Sequence, residues 1–249
     1  MTTGTAAPST TASPVPAVTF VINQDFEVTP EGRSLHLWCR GTGSPTVVLE
    51  SGHAIGGFDQ FLRNGRFADL LADERRVCAY DRAGYGLSDP APEEPRDLDD
   101  VTDDLHALLE AAQIEGPVVL VGSSFGGMIV TYYTHRFPDG IVGVVLLDVP
   151  APSATLTLEG LPEVAWDHPS NPEHVDVVPE FEHRLAAEQF PFDAPLLVIT
   201  ATDGQSDVTD QSFWLDWSGD SRQVELPGPH EVYLESPEAI RDHILAFGG

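Results

Sequence analysis

The 249-residue chain carries twelve arginines and no lysine against forty carboxylates, for a formal net charge of −28. Such a surface repels phosphate backbones and anionic headgroups, which argues against nucleic acid and membrane surfaces as partners. The 41% of hydrophobic residues is ample for a core, and no apolar run approaches the roughly 18–20 residues of a membrane span.

Residues 1–19, mostly Thr, Ala, Ser, Pro and Val, read as a disordered leader, and residues 20–249 as one domain. The leader lacks the basic start and apolar centre of a signal peptide, so the chain reads as cytoplasmic, with a secreted mature form as the alternative. Gln24 to Thr29 and Ser34 to Cys39 read as two strands around the turn Pro30-Glu31-Gly32-Arg33. Thr46 to Glu50 is a nearly continuous apolar run suited to a buried strand. It ends in the glycine-rich loop Ser51-Gly52-His53-Ala54-Ile55-Gly56-Gly57, before a helical pattern from about Asp59 to Leu71. Arg76 to Tyr80 is the next strand. From Asp97 to Ala112, apolar residues at Leu98, Val101, Leu105, Leu108 and Leu109 form a helix-spaced stripe.

Val118 to Val121 is a buried strand that runs directly into Gly122-Ser123-Ser124-Phe125-Gly126, and a helix-like segment from Met128 to Phe137 follows. Strand, Gly-x-Ser-x-Gly and helix, in that order, form the context of a nucleophile elbow with Ser124 at its centre. A helix starting there aims its free N–H groups at any anion formed beside the hydroxyl. Ile141 to Leu147 is another buried strand, ending at Asp148. The pattern then dissolves to about Phe192, with one helix near Phe181 to Gln189, so residues 150–192 read as a small cap. Pro195 to Thr200 and Gln223 to Leu226 are strands, with a short helix over Asp210 to Trp217 between them. A last helix from Ser236 to Phe247 starts at Ser236 as N-cap with Pro237 in its first turn. The alternation predicts a mostly parallel sheet wrapped on both faces, with ligands bound beyond the carboxyl ends of the strands.

A serine hydroxyl needs a base within hydrogen-bond reach, itself oriented by a third group. Among nine histidines, His230 stands between the last strand and the last helix in a Gly/Pro-bounded loop, after both a serine and an acid in chain order. His36, His106, His135 and His243 fall on strand or helix patterns. His168, His174 and His183 have spacings that match no metal motif, so no metal site is expected. The acid is Asp148, Asp203 or Asp207, in that order of preference. Asp148 leads because it directly ends the strand Val144 to Leu147. The oxyanion donors are the backbone N–H groups of Phe125, just after the serine, and of His53 in the loop after the third strand.

The blocks Leu49-Glu50-Ser51-Gly52, Tyr80-Asp81-Arg82-Ala83-Gly84-Tyr85-Gly86-Leu87-Ser88-Asp89, Gly122 to Gly127, and His230 with Glu235-Ser236-Pro237-Glu238 follow one another as in the α/β-hydrolase fold family, which residues 25 onward resemble. The resemblance implies a mostly parallel eight-stranded sheet with helices on both faces, a cap of about forty residues after strand six, and a Ser-His-acid triad that needs no cofactor. Ser123 stands where many members have histidine, and the loop Ala201 to Asp207 departs from the family's usual acid loop. The implied activity is that of a serine hydrolase acting on an ester or related acyl bond. Acyl transfer, carbon–carbon cleavage, lyase chemistry and non-catalytic ligand binding are the alternatives on the same fold. Trp166 and other cap aromatics are candidates to line an acyl pocket. The implied strand order sets the strands of Cys39 and Cys78 side by side. With no export signal, two buried free thiols are nonetheless the expectation.

Overall fold

A computed structural model describes residues 20–63 and 66–247. The leader proposed for residues 1–19 lies outside the described residues.

Eight strands form one sheet in the order β1-β2-β4-β3-β5-β6-β7-β8. They are β1 (Ile22–Glu27), β2 (Ser34–Arg40), β3 (Thr46–Glu50), β4 (Val77–Tyr80), β5 (Val118–Ser123), β6 (Ile141–Leu147), β7 (Leu196–Asp203) and β8 (Ser221–Pro229). β1 and β2 are antiparallel to their neighbours, and every pairing from β4 to β8 is parallel. The helices are α1 (Arg66–Ala72), α2 (Leu98–Ala111), α3 (Phe125–Arg136), α4 (Leu185–Ala187), α5 (Val208–Gln211), α6 (Val232–Glu235) and α7 (Pro237–Leu245).

Side-chain alternation along the central strands divides the core. On β5, Val118 and Leu120 face the layer that holds α2, α3 and the segment between β6 and β7. Val119 and Val121 face α1, α6 and α7. Both faces are covered, which is why β3 and β5 read as unbroken apolar runs rather than alternating ones. α2 is started by a capping box: the Asp97 carboxylate accepts from Asp100 N–H, and Asp100 accepts in return from Asp97 N–H. Its stripe Leu98, Val101, Leu105, Leu108 and Leu109 is buried as the spacing predicts.

Residues 149–195 cross from β6 to β7 over the α2/α3 face. Phe181, fully buried, sits with its ring 4.3 Å from that of Phe125 and anchors the segment to the start of α3. The single helix expected over Phe181 to Gln189 is instead a π-helical stretch, Val177–Arg184, followed by the short α4. The helix expected from Asp59 to Leu71 is likewise a π-helical turn at Phe58–Leu62, with α1 beginning at Arg66.

Two further expectations are corrected. Cys39 and Cys78 are joined by a disulfide. The antiparallel register of β2 on β4 pairs them directly, with Cα atoms 4.1 Å apart. Ser236 does precede α7 and Pro237 opens it, but the Ser236 hydroxyl caps nothing. It donates to the Pro227 carbonyl at 2.7 Å and so ties the helix start to the end of β8. No helix among the described residues is long and apolar enough to cross a membrane.

Candidate active site

The carboxyl ends of β3, β5, β6, β7 and β8 converge on one cavity of about 560 Å³, which Gly52, His53, Ser124, Phe125, Gln205 and His230 help to line. Ser124 is the single residue between β5 and α3. Its backbone is in the left-handed region, at φ 52° and ψ −126°, a strained setting for a residue with a side chain. The turn is tight because Gly126 leaves no room for more: a Cβ there would meet the carbonyl oxygens of Glu50 and Ser51 at 2.5 Å. α3 therefore starts against the end of β3. The Ser124 hydroxyl makes no hydrogen bond to another described residue, and Ser123 beside it is 2% exposed.

Asp148 follows the last residue of β6 and is fully buried. Its Oδ2 accepts from His230 Nδ1 at 2.7 Å and from Gln205 N–H at 3.2 Å. Its Oδ1 accepts from Ala201 N–H at 3.0 Å and Gln211 Nε2 at 2.7 Å. Burial alone would raise its pKa. The hydrogen bonds from His230, Ala201, Gln211 and Gln205 outweigh that and hold the carboxyl below its ordinary value. Since the carboxylate only accepts, His230 carries its proton on Nδ1, which leaves Nε2 as the basic nitrogen. Gly204 lets the β7–α5 loop come this close, because a Cβ there would lie 2.3 Å from Asp148 Oδ2.

The other two candidate acids are placed elsewhere. Asp203 is exposed at the end of β7, its carboxylate near only the Thr202 hydroxyl. Asp207 caps α5, accepting from the N–H groups of Thr209 and Asp210. Neither hydrogen-bonds to His230, whose Nδ1 is taken by Asp148.

The N–H of Phe125, the first residue of α3, has no intrahelical acceptor. The N–H of His53 makes no hydrogen bond to another described residue either. The His53 and Phe125 rings meet edge to face at 5.7 Å. Burial first, then the nearby Arg82 cation, lowers the pKa of the His53 imidazole.

The aromatic Trp166 is not among the lining residues. From the β6–β7 segment the cavity is lined instead by Leu161, Val164 and Val177, with Glu163 and Glu182. Trp166 packs toward His174, with ring centres 6.1 Å apart. Among the described residues, the charged side chains that line the cavity, Asp59, Glu163, Glu182 and Glu231, are acidic, and no arginine lines it. Among the described residues no three His, Cys, Asp or Glu side chains are grouped as a metal site.

Two groups of site residues escape sequence reasoning. Gln211, fully buried on α5, holds Asp148, and nothing in its surroundings in the chain marks it. The sequence marks Arg82 only as part of a motif. It is 2% exposed and packed among Glu50, Ser51, Gly52 and Glu173.

A serine on a strand-to-helix elbow, with a carboxylate-bound histidine at the rim of the same cavity, defines a fold class as well as a site. The family model of the alpha/beta hydrolase fold matches residues 45–175. The chain belongs to the alpha/beta hydrolase family. It is 32% identical over 122 residues, 48% of its length, to the cis-3-alkyl-4-alkyloxetan-2-one decarboxylase of Shewanella oneidensis. The chain spans 37% of that relative and 38% of protein YbdG of Bacillus subtilis, to which it is 25% identical over 127 residues. Among solved structures, the epoxide hydrolase CorEH superposes with a TM-score of 0.72 at 15% identity, covering 92% of this chain and 98% of that one. The enol-lactonase of Burkholderia xenovorans LB400 superposes at 0.67 and 18% identity, covering 86% and 96%.

Proposed function

We propose that this chain is a serine hydrolase that cleaves an ester or related acyl bond in a small molecule. The observation that carries the reading is the Asp148–His230 hydrogen bond at the rim of the cavity that Ser124 enters. In this mechanism Ser124 Oγ attacks the substrate carbonyl carbon while His230 Nε2 takes the hydroxyl proton. The carbonyl oxygen becomes an oxyanion, held by the N–H groups of His53 and Phe125. Collapse of the tetrahedral intermediate breaks the bond to the leaving group, which receives the proton from His230. Water, deprotonated by the same nitrogen, then attacks the acyl-enzyme and releases the acid and free Ser124. Asp148 stays ionised throughout and stabilises the imidazolium.

The wholly acidic charged lining supports an uncharged or cationic substrate, since a substrate carboxylate would find repulsion and no guanidinium to pair with. The apolar Leu161, Val164 and Val177 support an aliphatic acyl group. The name of the enol-lactonase, a neighbour in fold, fits this reading without establishing it. A panel of neutral, cationic and carboxylate-bearing p-nitrophenyl esters graded by acyl length tests the proposal. Hydrolysis of the neutral or cationic esters should be lost in Ser124→Ala and retained in Ser123→Ala. Equal loss in both folded variants, or a preference for carboxylate-bearing esters, contradicts it.

A further inference from the structure

Arg82 directly follows Asp81 at the carboxyl end of β4 and donates from every nitrogen of its guanidinium. Nη1 reaches Glu50 Oε1 and the Ser51 carbonyl, both at 2.7 Å, and Ser51 Oγ at 2.9 Å. Nη2 donates to the Gly52 carbonyl at 2.9 Å, and Nε to both carboxylate oxygens of Glu173 at 2.9 Å. Arg82, Glu50 and Glu173 are each at most 2% exposed. A buried cation with two buried carboxylates is costly to desolvate and rarely improves stability over an apolar core. A role in organising something else accounts better for its presence.

What it organises is one peptide unit. The Gly52 carbonyl and the His53 N–H belong to the same planar, trans peptide, so they point in opposite directions. Arg82 holds the carbonyl. The Gly52 N–H, one peptide earlier, is occupied by Gln60 Oε1 at 2.7 Å. The next N–H, that of His53, is left without a protein acceptor among the described residues. Gly52 itself lies against the nucleophile: a Cβ built there would be 3.6 Å from Ser124 Cβ. A cation on the carbonyl also withdraws electron density from the peptide nitrogen and makes its N–H a stronger donor.

We propose that Arg82 is a positioning residue for the oxyanion donor: by gripping the Gly52 carbonyl it turns and polarises the Gly52–His53 peptide so that its N–H serves the carbonyl attacked by Ser124, and Glu173 ties that grip to the segment covering the cavity. The inference rests on the serine-hydrolase reading above. It makes the β6–β7 segment part of the catalytic apparatus, because Glu173 is the segment's own contribution to the grip.

Two variants test it. Arg82→Lys keeps a cation but loses the fork that spans Gly52 and Glu173. Arg82→Met/Glu173→Met replaces the pair with side chains of similar length and leaves no bare charge between them. Glu50, which burial already pushes toward its neutral acid, keeps its hydrogen bond from Tyr80. Each variant is checked for folding by thermal melting and for a live nucleophile by fluorophosphonate labelling. It is then assayed on a p-nitrophenyl ester and its thiono analogue, whose sulfur is a poor hydrogen-bond acceptor. A weakened oxyanion donor should lower kcat on the oxo ester about 10²-fold with KM little changed, and the wild-type preference for oxo over thiono ester should shrink by a similar factor. A folded, labelled variant that keeps wild-type kcat, or that loses both esters equally, overturns the role assigned to Arg82. A wild-type protein that the fluorophosphonate leaves unlabelled overturns the underlying hydrolase reading instead, so the two failures are distinguished.

Discussion

Asp148 and His230 are 82 positions apart in the chain and joined by a 2.7 Å hydrogen bond between Oδ2 and Nδ1. The acid leaves the end of β6 with φ 48°, and the histidine follows the end of β8, two strands away across the sheet. β7 lies between them and contributes the Ala201 N–H as a further donor to the same carboxylate, and the loop after β7 contributes that of Gln205. Each member of the pair directly follows a strand of the sheet, which sets its position.

Replacing Asp148 by Asn should preserve the fold and lower kcat about 10⁴-fold, because the imidazole loses both its tautomer and the charge that stabilises its cation. Asp203→Asn and Asp207→Asn should keep near-normal turnover. Steady-state kinetics on the three variants separate them, and a normal Asp148→Asn enzyme would reassign the acid.

The depressed Asp148 pKa has a consequence for stability. Its carboxyl binds a proton more readily in the unfolded chain than in the fold, so its stabilising contribution is complete above the ordinary aspartate pKa of about 3.9 and is lost as pH falls through the lower folded value. The gap in melting temperature between the wild type and Asp148→Asn should therefore be widest near neutral pH and narrow on acidification below about pH 4. A gap that is constant from pH 7 to pH 3 would count against this carboxylate's assigned hydrogen bonds.

Much of this arrangement was legible in the chain. The expected strands Thr46–Glu50 and Ile141–Leu147 agree with β3 and β6 at both ends, since each is an apolar run buried on both faces with a polar residue or loop at its end. The chain points to Asp148 for the same reason: a residue directly after a buried strand has its position set by the sheet. Other features depend on partners far apart in sequence and leave no local period. Arg82 meets Glu173 at a separation of 91 residues, and Gln211 meets Asp148 at 63. The lining from Leu161, Val164 and Val177 in place of Trp166 depends on how an aperiodic segment settles on α3. For Cys39 and Cys78 the implied strand order favours a bond and the missing export signal favours free thiols, and the register of β2 on β4 prevails.

The disulfide predicts a measurable contribution to stability. Closing a loop across a sequence separation of 39 residues is worth about 4 kcal/mol in the chain-entropy model. Reduction under native conditions, or Cys39→Ala/Cys78→Ala, should lower the denaturation midpoint correspondingly. The unreduced protein, unfolded and treated with an alkylating agent, should take up none.

Phe181→Ala removes a fully buried ring that touches Phe125. The cost expected for such a truncation is about 3–5 kcal/mol. Because Phe125 N–H is the second proposed oxyanion donor, turnover should fall as well as the melting temperature. Denaturant unfolding and kinetics on the same preparation check both, and an unchanged midpoint would show that the β6–β7 segment is not anchored through this contact.

Covalent labelling of the native protein with a fluorophosphonate, followed by mass-spectrometric mapping, reads the nucleophile itself. If Ser124 is the nucleophile and His230 its base, modification should be stoichiometric on Ser124 alone, strongly slowed in His230→Ala and absent in Ser124→Ala. Modification at Ser123 or elsewhere, or none in the folded wild-type protein, would contradict that assignment.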